Sequence, residues 1–202
     1  GFPDGRMPMK ILITGGLGFV GTHLTGRFLE AGHSVTALDR APYSRITNPR
    51  YAYHSADTTA GGPWQELVPG HDAVVNLAGV TIFRRWNAAY KKAVYDSRIL
   101  TTRRVVEAVP VGSGLTLVST SAAGYYGFRG DEECTEDTPP GDDFLALVCV
   151  GWEKEARKAE EKGARVVVSR FGVVLGKNGG ALDQMAKTFR LGIGGPLGSG
   201  RQ

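Results

Sequence analysis

The stretch MKILITGGLGFVGTHL, residues 9–24, decides the fold of this chain. It opens with a short aliphatic run, which is typical of a strand buried on both faces. Gly15, Gly18 and Gly21 follow at a spacing of three, where a helical pattern begins. A glycine turn between a strand and a helix is typical of a diphosphate site, because main-chain amides and the positive end of the helix face the anion.

Each of these glycines has a separate expected role. Gly15 permits the tight turn, Gly18 lets main-chain N–H groups approach a pyrophosphate, and Gly21 lets the helix pack closely on the strand. Phe19 and Val20 occupy the mouth of the helix, so we include them in the predicted phosphate site. The alternative interpretation is a structural turn whose glycines bind nothing.

The second predicted strand ends in an acid, Asp39. A carboxylate there can accept hydrogen bonds from the ribose hydroxyls of NAD, but it repels the 2′-phosphate of NADP. Arg40 can pair with that phosphate, and Arg45 is close enough in sequence to help. The alternative is a strand-end acid beside two solvated arginines. These residues predict NADP or NAD as the cofactor and leave the choice open.

Strand-like and helical patterns alternate along the chain. Strands are predicted over residues 10–14, 34–39, 51–55, 73–77, 115–119 and 165–170. Helices are predicted over residues 18–31, 64–68, 87–109, 143–162 and 181–190. The alternation predicts an α/β fold of the Rossmann type, a doubly wound parallel sheet with right-handed crossovers.

The ends of the chain differ from its centre. We expect residues 1–8 to form a flexible leader before the first strand, and they lack the apolar segment of a signal peptide. Residues 9–202 are expected to form one dinucleotide-binding domain with the start of a substrate-binding region. The glycine-rich tail GIGGPLGSGRQ has no closing element, so we expect that region to be truncated or missing.

The composition is that of a soluble globular protein, with 42% hydrophobic and 22% charged residues among 202. The net charge of +4 comes from scattered basic residues, which argues against a nucleic-acid surface. No apolar run is long enough to span a membrane. We therefore expect a cytoplasmic protein that binds a dinucleotide and a small-molecule substrate, and the oligomeric state stays open.

Two cysteines, Cys134 and Cys149, form neither a disulfide framework nor a metal-ligand spacing, so no metal site is predicted. Cys149 lies on an apolar stripe with helical spacing, where a lone cysteine most often serves as a small hydrophobe. A reactive thiol is the alternative.

Longer motifs carry a family resemblance. TGGLGFVG, NLAG at residues 76–79 and STSAAGYYG at residues 119–127 resemble the extended short-chain dehydrogenase/reductase superfamily. The segments RRW, SRILTT, FGVVLGKNGGAL and FRLGIGGPLGSG resemble its atypical, NAD-dependent epimerase-like subgroup. The resemblance runs from residue 9 to residue 202. It implies a nicotinamide dinucleotide and a small C-terminal substrate-binding region.

The resemblance also implies cofactor contacts. In the superfamily an acid after the third strand contacts the adenine, and Asp57 matches it. The NLAG segment lines the ribose and nicotinamide side, so Leu77, Ala78 and Gly79 match. Related subgroup members resemble NADP(H) binders with a neutral residue at the position of Asp39, so this chain departs from their pattern there.

A second implied region is catalytic. Ordinary members carry Tyr-x-x-x-Lys on the helix after the acidic loop, where the tyrosine exchanges a proton and the lysine lowers its pKa and holds the nicotinamide ribose. Aligned through Glu153, these positions are Leu145 and Cys149, and no Tyr-x-x-x-Lys occurs in either nearby register. Cys149 is thus a catalytic candidate by position, as a weak donor or, beside positive charge, as a thiolate.

Three more residues are catalytic candidates. Ser121 matches the serine that hydrogen-bonds the substrate oxygen, with Ser119 and Thr120 as near alternatives. The other interpretation is that these hydroxyls cap the strand end. Arg98 falls where the superfamily usually has a proton-relaying asparagine. A guanidinium there binds anions instead, and the alternative is a surface arginine. Tyr125, with Tyr126 beside it, is expected at the cleft edge, where either phenol could act as an acid. The alternative is aromatic packing over the cofactor.

Two functions stay open at this point. The glycine turn and Ser121 favour an NAD(P)-dependent oxidoreductase or epimerase-like enzyme that transfers hydride, and nucleotide-sugars are one substrate class that the resemblance suggests. The missing Tyr-x-x-x-Lys pair favours a dinucleotide-binding sensor or partner protein with little or no turnover.

Overall fold

A computed structural model of the chain describes residues 7–177, 179–192 and 195. The chain divides into two compact units, Gly1–Arg170 and Phe171–Gln202. Most of the predicted leader, and the tail except residues 192 and 195, lie outside the described residues. The first unit carries nearly all of the sheet and every candidate site residue.

The first unit is built on a six-stranded sheet. Its strands are β1 (Lys10–Thr14), β2 (Ser34–Asp39), β3 (Tyr51–Ser55), β4 (Ala73–Asn76), β5 (Thr116–Ala122) and β6 (Arg165–Phe171). The strand order is β3-β2-β1-β4-β5-β6, and β1 to β5 pair in parallel. This is the order of a dinucleotide-binding fold, in which the chain reverses direction across the sheet beside its first strand. The predicted fold class is confirmed.

Helices cover both faces of the sheet. The α-helices of the first unit are α1 (Phe19–Glu30), α2 (Ala88–Ala108) and α3 (Phe144–Arg157). Its 3₁₀ helices are Pro63–Gly70, Ala123–Tyr126 and Lys158–Lys162. Asn87 and Asp143 begin α2 and α3, because each side chain accepts a main-chain N–H three residues further on, at 2.8 and 2.9 Å. In the second unit, the short strand β7 (Leu175–Gly176) precedes α4 (Gly180–Arg190).

Two hydrophobic clusters, one on each face, hold the sheet. One cluster joins Leu12 and Leu117 of the sheet to Val105 of α2 and Ala156 of α3. On the other face, Ile11, Ile13, Val35 and Val75 pack with Leu29 of α1. Adjacent residues of β1 enter different clusters because successive side chains of a strand point to opposite faces.

Some element boundaries differ from those predicted. The predicted helix over residues 64–68 is a 3₁₀ helix that contains Pro69, whose missing N–H cannot support an α-helical bond. The predicted helix over residues 143–162 leaves α-helical geometry after Arg157, and Gly163 ends it with a left-handed φ of 80°. The fifth strand is longer than predicted and runs to Ala122, so Ser121 lies within it.

Candidate functional site

The turn after β1 brings three chain segments together. Gly15 adopts a φ of +68°, which glycine tolerates best. A Cβ atom at Gly15 would lie 3.0 Å from the Cα atom of Ala78, so the turn also closely approaches the loop after β4. The amide of Gly18 donates to the Gly15 carbonyl at 3.0 Å, and Gly18 begins α1 as its N-cap.

Close packing explains the third glycine and a fourth that the spacing argument missed. A Cβ atom at Gly21 would lie 2.3 Å from the Gly15 carbonyl oxygen, so α1 can rest on the turn only without a side chain there. A Cβ atom at Gly16 would lie 2.6 Å from the Cβ atom of Ala37 in β2. The doublet Gly15–Gly16 was the available sequence signal for this contact.

A cavity of about 250 Å³ opens beside the turn, at the carboxyl ends of the strands. Eight of the predicted cofactor residues line it: Gly15, Gly18, Asp39, Arg40, Asp57, Leu77, Ala78 and Gly79. Its other lining residues were not predicted: Leu38, Ala56, Thr58, Thr59, Val80, Ser97 and Thr101. Such a crevice, at the point where the strand order reverses, is where open α/β sheets bind their ligands.

Four predicted residues do not line this cavity. Gly21 is buried under the turn, and Arg45 is exposed. Phe19 and Val20 are half-buried in the first turn of α1, where the ring of Phe19 packs edge-on against His23 with 5.2 Å between centroids. Phe19 and Val20 lie in the first turn of the helix, where main-chain amides have no partner within the helix. Their amides, and not their side chains, are therefore the groups that could bind an anion.

Two carboxylates lie at one end of the cavity. Asp39 accepts the amide of Leu17 at 3.1 Å and the amide of Arg40 at 2.8 Å. Asp57 accepts the hydroxyl and the amide of Thr59 at 2.7 and 3.0 Å. The pKa of Asp57 is lowered mainly by the hydrogen bond from the Thr59 hydroxyl. The Thr59 amide and the charge of Arg40 lower it further, although burial opposes this shift. Asp57 is therefore ionised at neutral pH, and this end of the cavity is acidic.

A buried polar chain lies beside Ala78, one of the residues that line the cavity. The Thr14 hydroxyl donates to the Asn76 side chain at 2.6 Å, and Asn76 donates to the Thr102 hydroxyl at 2.8 Å. The amide of Ala78 lies 3.4 Å from the Thr14 hydroxyl oxygen. Because buried polar groups are expensive to leave unpaired, this chain holds β1, β4 and α2 in one arrangement.

A packed thiol, Cys149, lies at the position that the family resemblance aligns with the missing lysine. Cys149 is 4% exposed, and its Sγ atom lies 3.9 Å from the Ala122 carbonyl oxygen. Burial raises the pKa of the Cys149 thiol, although hydrogen bonds and the charge of Arg98 act in the opposite direction. The thiol is therefore neutral at physiological pH. Leu145, which the resemblance aligns with the tyrosine, is half-buried and carries no proton to exchange.

Ser121 belongs to a buried ion-pair network that the sequence did not reveal. Its side chain is on the covered face of β5, 1% exposed, and donates to Glu153 Oε1 at 2.6 Å. Arg170 donates to both oxygens of Glu153 at 2.9 Å. Burial would raise the pKa of Glu153, but the bonds from Arg170 and Ser121 lower it, so the carboxylate is charged. The sequence signal that could have indicated this network was Glu153, a glutamate on an apolar helix face, since buried charges need partners.

Tyr125 is held by the same network. The Arg170 guanidinium lies over the Tyr125 ring, 3.6 Å from its centroid, and donates to the Tyr126 hydroxyl at 2.9 Å. The two tyrosine rings pack edge-to-face with 5.4 Å between centroids. Ring packing is thus the observed environment of Tyr125, and its predicted role as an acid stays a prediction.

Arg98 is half-buried between α2, α3 and the loop after β4. Its Nη1 atom donates to the carbonyls of Val80 and Val94 at 3.2 and 3.0 Å. The guanidinium lies 5.3 Å from the centre of the Trp152 ring. The structure therefore places Arg98 inside the fold rather than among the surface arginines.

Two further features, a cluster of metal ligands and a membrane-spanning helix, are absent from the described part of the chain. Residues 7–177, 179–192 and 195 contain no cluster of three or more His, Cys, Asp or Glu side chains arranged for a metal ion. None of the described helices combines the length and apolar content needed to cross a bilayer.

The strand order, the glycine turn and the cavity define the class of the protein as a dinucleotide-binding α/β protein. The chain belongs to the NAD dependent epimerase/dehydratase family, whose sequence profile matches residues 11–194. The predicted resemblance to NAD-dependent epimerase-like proteins is confirmed. The predicted cofactor class, NADP or NAD, agrees with this family.

Relatives share its sequence over almost all of its length. The chain is 40% identical to the chloroplastic SDR39U1 homolog of Arabidopsis thaliana, over 96% of this chain and 57% of the relative. It is also 40% identical to the human epimerase family protein SDR39U1, over 96% of this chain and 64% of the relative. The chain thus spans about three-fifths of these relatives. The predicted cytoplasmic location stays a prediction.

Solved structures give the same result. The crystal structure of human SDR39U1 with NADPH has a TM-score of 0.74 and 38% identity, covering 96% of this chain and 64% of that one. A nucleoside-diphosphate sugar epimerase from Corynebacterium glutamicum has a TM-score of 0.78 and 37% identity, covering 98% and 40%. A UDP-glucuronic acid 4-epimerase from Bacillus cereus with NAD has a TM-score of 0.77 at 20% identity, covering 91% and 64%, which supports the fold alone.

Proposed function

We propose that this protein binds NADP or NAD in the cavity beside the glycine turn. The observation that carries the proposal is the fit of α1 on the turn, where a Cβ atom at Gly21 would lie 2.3 Å from the Gly15 carbonyl oxygen. The first main-chain amides of α1 lie at the edge of the cavity. Because Gly15 and Gly18 carry no side chains, these two residues leave room for an anion there. Those amides and the helix dipole suit a diphosphate.

The other lining residues would hold the two nucleoside halves. Asp39 would accept from the ribose hydroxyls, and Asp57 lies where the family resemblance expects an adenine contact. Leu77, Ala78 and Gly79 would line the route toward the nicotinamide ribose. Arg45 is exposed and outside the lining, so we give it at most a peripheral contact with a phosphate.

The charge distribution supports NAD rather than NADP as the preferred cofactor. Asp39 and Asp57 both line the cavity, where we propose that the adenosine ribose binds, and Arg40 supplies one opposing charge. A 2′-phosphate would add negative charge to an already acidic end. The human relative crystallised with NADPH is 38% identical to this chain, so we propose that the two differ in preference.

We further propose that binding is the main function and that turnover by the usual proton transfer is weak. Cys149 is a buried, neutral thiol at the lysine position, and Leu145 stands at the tyrosine position. The Ser121 hydroxyl already donates to Glu153. These residues cannot replace a tyrosine whose pKa is lowered by an ammonium group.

The second candidate is an oxidoreductase or epimerase-like enzyme acting on a nucleotide-sugar. The observation that favours it is the 37% identity to a nucleoside-diphosphate sugar epimerase over 98% of this chain. A bound nicotinamide would supply hydride transfer. The chain's own contribution would be to orient the substrate beside Gly79 and to exclude water.

Two measurements test these proposals. Titration calorimetry with NADH and NADPH should show one binding site, and ligand binding should raise the thermal midpoint of the protein. Absence of binding by either nucleotide would refute the main proposal. Nucleotide-sugars are then added to the loaded protein while the nicotinamide absorbance is followed. A steady change would favour the second candidate over weak turnover.

A further inference from the structure

Arg98 stands out among the arginines of α2 because its guanidinium is half-buried without an acidic partner. In α2, Arg103 pairs with Glu155, and at the end of β6 Arg170 pairs with Glu153. No ion pair to Arg98 occurs within residues 7–177, 179–192 and 195. Its protein partners are carbonyl oxygens and an aromatic ring, which do not neutralise the cation.

The surroundings of Arg98 do not supply a hidden negative charge. Burial lowers the pKa of Arg98, and the ionisable groups acting on it are Cys149 and Tyr90. The pKa of the Cys149 thiol is itself raised by burial, so that group is neutral near pH 7. A half-buried cation without a counter-charge is unfavourable, and an anionic ligand would relieve this cost.

Part of the guanidinium is available to a ligand. Nη1 is used by the carbonyls of Val80 and Val94, whereas Nε and Nη2 have no hydrogen-bond partner among the described residues. Neither nitrogen is among the buried unpaired side-chain atoms of the described chain, so solvent reaches them. Nε and Nη2 together form the edge of a guanidinium that binds two oxygens of one oxyanion.

The position of Arg98 links it to the dinucleotide cavity. A Cβ atom at Gly79 would lie 3.0 Å from the Arg98 Cζ atom, so the guanidinium packs directly against that glycine. Gly79, Val80 and Ser97 line the cavity, but Arg98 does not. A group bound to Arg98 would thus lie next to the dinucleotide and outside its diphosphate site.

We propose that Arg98 binds a carboxylate or phosphate group of a small molecule that is separate from the dinucleotide. The inference rests on the proposed binding of a dinucleotide in the neighbouring cavity. The second ligand would then be an oxyanion. Arg98 would supply a positive charge near Gly79, whereas Cys149 of α3, aligned with the missing lysine, supplies none.

The first test uses the wild-type protein. Phenylglyoxal modifies accessible arginines, and mass spectrometry reports the rate at each position. The protein is first saturated with NADH or NADPH, and calorimetry verifies the binding. Malonate and inorganic phosphate are then the probes. We expect either probe to slow modification of Arg98 by about tenfold, as a bidentate ion pair would.

The outcomes separate this inference from the proposed function. If the dinucleotide binds and neither probe changes the rate at Arg98, the inference is wrong although the proposed function holds. If the dinucleotide alone protects Arg98 fully, the anion belongs to the cofactor and a separate ligand is refuted. If no dinucleotide binds, the proposed function fails, and the inference fails with it.

Variants provide the second test. In Arg98→Gln, the affinity of the loaded protein for malonate should fall by about tenfold or more, a larger fall than that of its dinucleotide affinity. Arg98→Lys keeps the charge without the two-point geometry and should fall in between. Arg157→Gln is the matched control, since Arg157 makes an exposed pair with Glu160. Equal malonate affinity in all four proteins would overturn the proposal.

Discussion

The guanidinium of Arg170 and the carboxylate of Glu153 form a two-point ion pair, with both N–O distances at 2.9 Å. Arg170 is the penultimate residue of β6, and Glu153 lies in α3. The pair also orients Ser121 through the third hydrogen bond of the carboxylate. The side chains are 16% and 8% exposed, so water screens the pair only weakly.

Removing Arg170 should therefore be strongly destabilising. Arg170→Met leaves the buried carboxylate of Glu153 without a cation, and we expect a loss of about 3 kcal/mol in the free energy of unfolding. Urea denaturation measures this. Arg27→Met is the control, because Arg27 pairs with Glu30 at the surface and should change stability by less than about 1 kcal/mol. Similar losses in both variants would contradict a special role for the buried pair.

Alternating patterns made most of the fold predictable. The strands β1 to β3 begin and end where the sequence predicts, because their short apolar or β-branched runs end at turn residues. The end of β5 was missed because STSA offers small polar residues that periodicity arguments treat as a loop. The helix predicted over residues 64–68 is present as the 3₁₀ helix Pro63–Gly70, a type that apolar spacing alone does not distinguish from an α-helix.

Two glycines of α1 allow a matched pair of substitutions that tests how closely the helix packs on the glycine turn. Gly21→Ala would force a Cβ atom to 2.3 Å from the Gly15 carbonyl oxygen, so the turn must move. We expect a loss of about 1 to 3 kcal/mol in stability and at least about tenfold in dinucleotide affinity. Gly26→Ala, also in α1, meets open space and should stabilise the protein by about 0.5 to 1 kcal/mol. Calorimetry and urea denaturation distinguish the two, and equal effects would refute the packing argument.

His71 gives stability a predictable dependence on pH. Its ring contacts the Leu67 carbonyl at 2.7 Å and the Thr36 hydroxyl at 2.8 Å. Burial lowers the pKa of His71 below its ordinary value of 6.5, and the charge of Lys10 adds to this, although the Leu67 bond and Asp72 oppose it. Just below pH 6.5 the unfolded chain therefore binds a proton that the folded protein does not.

The free energy of unfolding should consequently fall as the pH is lowered through 6.5 toward the folded pKa of His71. Below that folded pKa, this contribution should be lost completely. Urea denaturation at a series of pH values measures the slope, and His71→Gln should flatten it. An unchanged slope in the variant would show that other groups cause the dependence.

The two cysteines should react at very different rates. Cys134 is half-exposed, whereas Cys149 is buried and burial raises its pKa, so little thiolate is available. Alkylation of the native protein followed by mass spectrometry should label Cys134 first. Cys149→Ala should leave dinucleotide affinity nearly unchanged if the thiol only packs. Fast labelling of Cys149, or a large drop in affinity, would restore it as a functional group.

The candidate site was only partly predictable, for a physical reason. Gly15 and Asp39 could be identified because a turn and a strand end place them locally. The partners of Ser121 could not, because Glu153 and Arg170 meet it through the tertiary fold at large sequence separations. The same holds for Arg98, whose burial depends on how α2 and α3 pack.

Asp39 should control the choice between the two nucleotides. Its carboxylate accepts the amides of Leu17 and Arg40, and it faces the same cavity as Asp57. In the wild-type protein we expect NADH to bind more tightly than NADPH. Asp39→Ser removes the negative charge while keeping a hydroxyl that can accept a hydrogen bond. The affinity for NADPH relative to NADH should then rise by about tenfold, since the repulsion between one carboxylate and a nearby phosphate is worth about 1 to 2 kcal/mol at low salt.

The salt dependence of binding provides an internal control for this prediction. Repulsion between Asp39 and a 2′-phosphate is electrostatic, so raising the ionic strength should narrow the wild-type difference between NADPH and NADH. In Asp39→Ser that difference should depend less on salt. Calorimetric titrations with both nucleotides at low and high ionic strength measure the four affinities for each protein. If NADPH already binds wild-type protein more tightly at low salt, Arg40 outweighs the two acids and the proposed preference for NAD is wrong.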